Sequence, residues 1–285
     1  MTALIITILL SVFVTLLFKL FPKYGINTFS AIVINYLCCV ALGWWLEPAP
    51  LSLNHINEDW FYLAILLGFI FLFNFYMIGK TIALFGVAVG TVATKMSIAI
   101  SVIAAFVLFK EAVTALKIAG ILMAIISVAL VAYQKYILNF NRKLLWFPVI
   151  VLFNCGVVEI LLNYANKFYL EPASYNLFNF YTYSISAVLS IIVVVVLQIM
   201  GRFTINLKDV LAGIILAAPN YFCIYFTIKA LDIAGWGSAV VYPIISVSII
   251  SLASLLAWLF LKEKLLPINF IGLVTAVIAI LLITL

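Results

Sequence analysis

Residues Phe106–Val131 read FVLFKEAVTALKIAGILMAIISVALV, and residues Trp258–Ile283 read WLFLKEKLLPINFIGLVTAVIAILLI. With a shift of 152 positions and no gap, the pair Lys110-Glu111 aligns with Lys262-Glu263. In both copies an apolar run stops at Lys-Glu, and a glycine follows nine residues after the Glu. A repeat with a period of more than a hundred residues, in a very apolar chain, is typical of an internally duplicated membrane protein.

The composition excludes a soluble fold. Of the 285 residues, 68% are hydrophobic and 8% are charged, whereas soluble domains are about half apolar and a quarter charged. The net charge of +6 is spread singly between apolar runs, so no basic cluster is available for nucleic acid. We therefore expect an integral membrane protein in contact with lipid, located in a bacterial inner (plasma) membrane.

About 20 apolar residues are needed to cross the hydrocarbon core. This length predicts ten spans, which are Leu4–Leu20, Thr28–Leu46, Trp60–Leu84, Val87–Phe109, Thr114–Tyr133, Leu144–Asn166, Ala173–Gln198, Val210–Leu231, Gly237–Leu261 and Leu266–Leu285. The basic linker Gln134–Lys143 separates two halves of five spans, residues 1–138 and 139–285. Because five is odd, the halves enter the membrane in opposite senses. The predicted fold is all-α, with ten transmembrane helices in two inverted five-helix repeats.

Further correspondences between the halves support a family assignment. Asn74-Phe75 precedes Ala83-Leu84 by nine residues, and Asn220-Tyr221 precedes Ala230-Leu231 by ten. Together with the repeated Lys-Glu and glycine pattern, these features resemble the drug/metabolite transporter superfamily, and within it the ten-helix EamA-like branch. The resemblance implies a secondary transporter of metabolites with a central cavity lined mainly by spans 1, 3, 4, 6, 8 and 9. We expect a monomer or a homodimer.

The orientation of the termini stays open at this point. The five connections on one side of the predicted topology hold ten Lys and Arg residues, and the other side holds four. The positive-inside rule therefore favours both termini outside, whereas the family resemblance implies both termini in the cytoplasm.

Two charged residues lie well inside predicted spans, Lys95 in span 4 and Glu159 in span 6. A charge at the centre of a membrane helix costs about 2.5–3.5 kcal/mol, so such residues usually have a function. Helical spacing places Glu159 on one narrow face with Cys155, Asn163 and Asn166. One interpretation is a substrate site, with Lys95 binding an anion and Glu159 binding an ammonium group or carrying a coupling proton. The other is a Lys95–Glu159 ion pair, or pairs of these residues with neighbouring amides, that only hold the helices together.

Three more residues are candidates for contact with a polar solute. Asn74 and Asn220 occupy matching places in spans 3 and 8, and their amides offer both donors and acceptors. Tyr242 lies in span 9 on one face with Ser238 and Ser246. Each asparagine is interpreted equally well as an interhelical hydrogen bond. With Lys95, Glu159 and Asn163, these three complete the predicted substrate-binding set.

The sequence predicts a transporter that moves a small polar metabolite, such as an amino acid or a related solute, by alternating access around a site at the membrane midplane. It contains no Gly-rich phosphate loop, nucleophile elbow or metal-type His/Cys spacing, so we expect no catalytic residue, metal or cofactor. His55, in a polar connection, is interpreted as a solvated histidine. The alternatives are a lipid scramblase, a non-transporting bundle or, on weaker grounds, a membrane-embedded lipid enzyme.

Overall fold

A computed structural model describes residues 1–47, 53–85, 87–110, 114–131, 144, 146–201, 203–232, 236–261 and 266–284. Every regular element in these residues is helical, which confirms the predicted all-α class. The linker Gln134–Lys143, which was interpreted as the boundary between the halves, lies outside the described residues.

The described part of the chain contains eleven α-helices and two short 3-10 helices. The α-helices are α1 (Thr2–Tyr24), α2 (Thr28–Leu46), α3 (Phe61–Phe85), α4 (Val87–Met96), α5 (Ile98–Val107), α6 (Ala115–Val131), α7 (Trp146–Phe168), α8 (Tyr175–Ile199), α9 (Leu207–Leu231), α10 (Ser238–Leu261) and α11 (Pro267–Thr284). The 3-10 helices are Leu53–Asn57 and Pro172–Ser174.

Seven of these helices, α1, α2, α3, α7, α8, α9 and α10, are long and apolar enough to cross a membrane. Shorter apolar helices cover residues 93–107, 115–130 and 267–283. Large apolar side chains are exposed on the outside of the bundle, as at Ile191, Ile192 and Val195 of α8. A surface of this kind matches lipid and not water, and an all-helical chain satisfies its own backbone hydrogen bonds in the bilayer.

The fourth predicted span, Val87–Phe109, is divided in the structure. Helix α4 ends at Met96 and α5 begins at Ile98. The intervening Ser97 keeps right-handed helical backbone angles, with φ −54° and ψ −24°, so the two helices follow one another along the chain. A single helix was predicted because the apolar run is continuous and a lone serine is not a helix-ending signal.

Helix ends were otherwise predicted to within a few residues. The bounds of α2 are those predicted, whereas α1 continues beyond Leu20, through Pro22, to Tyr24. Gly25 ends α1 with φ 64°, a left-handed conformation that glycine adopts at low cost.

The halves of the chain pack mainly against each other. Helix α1 packs on α9 and α3 packs on α7, while α2 contacts both α8 and α9, α3 contacts α8, and α6 pairs with α11. The α2–α9 interface is very close, because a Cβ atom added at Gly213 would lie 2.5 Å from the carbonyl oxygen of Ala31. The buried apolar side chains form two main clusters, one centred on α1, α6, α10 and α11 and the other on α2, α3, α7 and α8.

The connection between α8 and α9 is tied to the α1–α2 turn by one buried carboxylate. Asp209, in the first turn of α9, is fully buried and accepts hydrogen bonds from two backbone amides, Asn206 N at 3.0 Å and Asn27 N at 2.8 Å. The side chain of Asn27 in turn caps α2, accepting from Phe29 N and Ser30 N. These bonds satisfy helix-terminal donors that have no partner within their own helix.

Candidate functional site

A cavity of about 250 Å³ is lined by residues of α1, α3, α4, α7, α9 and α10. These six helices correspond to predicted spans 1, 3, 4, 6, 8 and 9. Pockets for drug-sized ligands usually occupy about 300–1,000 Å³, so this cavity suits a smaller solute. Of the six predicted substrate-binding residues, Lys95, Glu159, Asn74 and Tyr242 line it together.

Glu159 connects three helices at this cavity. One carboxylate oxygen, Oε1, accepts a hydrogen bond from Ser97 Oγ at 3.1 Å, and the other, Oε2, accepts one from Ser101 Oγ. The hydroxyl of Tyr242 donates to the backbone carbonyl of Glu159 at 2.8 Å. Helix α7 is thereby joined to the α4–α5 junction and to α10, and both carboxylate oxygens are already engaged by hydroxyl groups.

Lys95 lies in the last turn of α4, half-buried, on the wall of the same cavity. Among the residues that the structure describes, its ammonium forms no hydrogen bond and no ion pair. Lys95 and Glu159 therefore share a cavity without the direct ion pair of the purely structural interpretation. A cation that has neither a hydrogen bond nor an ion pair among the described residues, in a largely apolar setting, is suited to bind an anionic group.

Asn74 adds an amide to the cavity wall. Its Nδ2 lies 3.4 Å from the sulfur of Cys155, and that thiol lies 3.5 Å from Asn74 Oδ1. Thiol sulfur is a weak donor and a weak acceptor, so a polar solute with stronger groups can compete for this amide.

Asn220 and Asn163 lie outside the cavity lining. Asn220 is buried and donates from Nδ2 to Asn35 Oδ1 at 3.4 Å, across the interface between α9 and α2. Asn163 is also buried, and its Nδ2 has no hydrogen-bond partner among the described residues.

The residues of the polar face predicted on α7 lie in two different environments. Cys155 and Glu159 line the cavity, whereas Asn166 donates to the carboxylate of Asp232 at 3.1 Å and to the carbonyl of Ile228 at 3.2 Å. Asp232 also accepts from the hydroxyl of Tyr175. The end of α7 is thus held against α9 and the start of α8 by hydrogen bonds.

His55 lies in the 3-10 helix Leu53–Asn57, half-buried, with its ring centroid 6.2 Å from that of Tyr181. Among the described residues, no group of three or more His, Cys, Asp or Glu side chains is placed to hold a metal ion.

Sequence reasoning missed several small polar residues at the cavity. Ser97 and Ser101, which hold the Glu159 carboxylate, are four residues apart and so lie on one helix face. Ser97 and Ser101 lie behind Glu159 and are not among the lining residues, whereas Ser11 of α1 and Cys223 of α9 line the cavity, with Ser11 Oγ 2.9 Å from Cys223 Sγ. The only available signal was the spacing of the two serines, since neither serine nor cysteine is unusual in a membrane helix.

No protein-family model matches the chain. The sequence is similar to that of an uncharacterized protein from Haemophilus influenzae, with 24% identity over 289 residues covering 97% of this chain and 95% of the relative. A crystal structure of another protein superposes with a TM-score of 0.68 at 14% identity, covering 98% of both chains. The structural match shows a shared fold across the whole chain.

Proposed function

We propose that this protein is a secondary transporter that moves a small polar metabolite, such as an amino acid or a related solute, across a bacterial inner membrane. The proposal is carried by one observation, the cavity within an apolar helix bundle whose wall contains both Lys95 and Glu159. Charged residues inside a membrane bundle are costly, and they usually mark a pathway for a substrate, an ion or a proton.

The arrangement of the helices supports the further proposal of two inverted five-helix repeats, residues 1–138 and 139–285. In this scheme α4 and α5 together form one span, and α1 corresponds to α7, α2 to α8 and α3 to α9. Exchanging the halves converts the α1–α9 contact into α7–α3 and the α2–α9 contact into α8–α3, and all four contacts occur. This symmetry and the repeated sequence pattern support membership of the drug/metabolite transporter superfamily, EamA-like branch.

The proposed mechanism is alternating access. The cavity wall takes α1, α3 and α4 from the first half and α7, α9 and α10 from the second. A rocking motion between the halves would therefore expose the same residues to each side of the membrane in turn. Lys95 binds an anionic group of the solute, Glu159 binds an ammonium group or carries a coupling proton, and Asn74 and Tyr242 offer hydrogen bonds.

Counterflow of radiolabelled metabolites in proteoliposomes tests this function. We expect accumulation with the native protein and its loss in Lys95→Ala and Glu159→Gln. The matched controls are Lys229→Ala and Glu171→Gln, which remove the same charges from exposed positions and are expected to retain transport. Normal transport by both cavity variants contradicts the assigned roles, and lipid flipping without solute flux identifies a scramblase instead.

A further inference from the structure

The two serines that hold Glu159 each have a choice of acceptor. Ser97 Oγ lies 3.1 Å from Glu159 Oε1 and 2.8 Å from the backbone carbonyl oxygen of Thr94. Ser101 Oγ contacts Glu159 Oε2 and lies 3.4 Å from the carbonyl oxygen of Ser97. Since a hydroxyl group carries one proton and can also accept, neither serine can donate to both of its neighbours at once.

This arrangement accommodates Glu159 with or without a proton. When Glu159 is ionised, both hydroxyls donate to its carboxylate oxygens. When it is protonated, the carboxyl O–H donates to one serine oxygen, and that serine turns its own proton to the backbone carbonyl of the preceding turn, a common bond for serine in a helix. Rotation of the Ser97 and Ser101 hydroxyl groups is sufficient to change between the two protonation states of Glu159. Neither state leaves a hydrogen-bond donor without an acceptor, and neither requires a helix to move.

The charges around the cavity link this proton to the bound solute. Lys95 on α4 is the cation of the cavity wall, while the other titratable groups on that wall are Cys155 of α7, Cys223 of α9 and Tyr242 of α10, and α1 and α3 contribute uncharged residues. When Glu159 is ionised and no solute is bound, the Lys95 ammonium balances its charge. A solute carboxylate on Lys95 would leave two negative charges and one positive charge in a medium of low dielectric constant, which is unfavourable.

We propose that the cavity binds a small organic anion, with its carboxylate on the Lys95 ammonium, together with one proton from water on the Glu159 carboxylate. Ser97 and Ser101 are the positioning residues that let Glu159 accept and release this proton. The net charge of the wall and its contents is then the same before and after loading. A solute with an ammonium group is less suitable, because it would have to compete with the two serine hydroxyls that already donate to the oxygens of Glu159. This inference rests on the proposed transport function and narrows its substrate class.

Binding of L-lactate and L-alanine to the purified full-length protein tests the inference. The two probes share a carbon skeleton and differ in carrying a hydroxyl or an ammonium group. We expect L-lactate to bind, with uptake of about one proton per site from a weakly buffered solution containing an indicator dye. Where Glu159 is ionised, the affinity for L-lactate should fall by about tenfold per pH unit, as one linked proton requires. L-alanine should bind more weakly and without proton uptake.

Variants separate a proton-carrying role from a structural one. In Glu159→Gln we expect L-lactate to bind with an affinity independent of pH and without proton uptake. In Ser101→Ala the pH profile of binding should move to higher pH, because the ionised carboxylate has lost a donor. Ser101→Thr, which keeps the hydroxyl, should restore the profile of the native protein. Infrared difference spectra should show a protonated carboxyl band on L-lactate binding that is missing in Glu159→Gln.

The inference is wrong if L-alanine binds more tightly than L-lactate, if L-lactate binds without proton uptake, or if L-lactate, acetate and pyruvate all fail to bind. These failures differ from failure of the transport proposal. Counterflow of a zwitterion without proton uptake leaves the transporter in place and removes the anion inference. Proton-linked binding of L-lactate without solute flux in proteoliposomes supports the anion inference and contradicts the transport proposal.

Discussion

Replacing Gly213 with alanine tests the close packing of α2 and α9 that places the cavity-lining part of α9. An alanine Cβ at this position would lie 2.5 Å from the carbonyl oxygen of Ala31 and 2.6 Å from Cβ of Ile34, whereas ordinary contacts begin at 3.4 Å. The helices would have to separate by about 0.9 Å, because neither a backbone oxygen nor a β-carbon can rotate away, and overpacking of this kind costs about 1–3 kcal/mol.

Alanine also has a higher helix propensity than glycine, which offsets up to about 1 kcal/mol of this cost. Because the two nearest atoms cannot rotate away, we expect the overpacking cost at the upper end of its range, about 2–3 kcal/mol. The expected net loss in the free energy of unfolding is then about 1–2 kcal/mol, or a fall of about 2–8 °C in the midpoint of thermal unfolding. The measurement is a thermal unfolding curve of the purified protein in detergent, followed by tryptophan fluorescence.

Gly79→Ala is the matched control, since the added Cβ at this α3 position would meet only Thr28 Cγ2, at an ordinary distance of 3.7 Å. We expect the midpoint of this variant to be unchanged or to rise by at most about 4 °C. An unchanged midpoint for Gly213→Ala, or equal shifts in both variants, would refute the packing argument.

Two further predictions concern polar residues. Asn74→Ala should weaken solute binding. Asn220→Ala should retain solute binding and lose only about 0.6 kcal/mol of stability, the average for a hydrogen bond between membrane helices. Equal losses of affinity in the two variants, measured by binding isotherms, would contradict the different roles of the two asparagines. Asp209→Ala should lower the midpoint of thermal unfolding more than Asp209→Asn. Alanine leaves two backbone amides without an acceptor, including Asn27 N, which lies 2.8 Å from the native carboxylate. The same thermal unfolding assay measures both variants, and equal midpoints would contradict this prediction.

Much of the fold could be predicted because length and apolarity alone define a membrane helix. The bounds of α2 were predicted from the length and position of the apolar run, and the structure adds Asn27 as the residue whose side chain caps the helix. The division of the fourth span at Ser97 could not be predicted, since a single serine within a continuous apolar run is not a helix-ending signal. The charged residues were predicted as candidates because a buried charge is costly in any membrane helix, whichever neighbour it meets.

Which of the candidate residues line the cavity was harder to predict from the sequence. Helical spacing placed Glu159, Asn163 and Asn166 on one face of α7. In the structure Glu159 lines the cavity, whereas Asn166 bonds Asp232, the residue that follows α9. Spacing gives the direction of a side chain around its own helix, but the neighbour it meets depends on the depth along the axis and on the packing of other helices. Asn220 illustrates the same point, because its partner Asn35 belongs to α2.

The hydrogen bond between Asn220 and Asn35 joins residues that are 185 positions apart, and this separation has a consequence for biosynthesis. At about 5–20 residues per second, Asn35 is made roughly 10–40 s before Asn220. During that interval α2 resides in the bilayer with the surface that will receive α9 turned toward lipid or toward insertion machinery. A messenger truncated after the first half would release a chain in which that surface stays uncovered, and an uncovered packing surface favours misassembly with other chains.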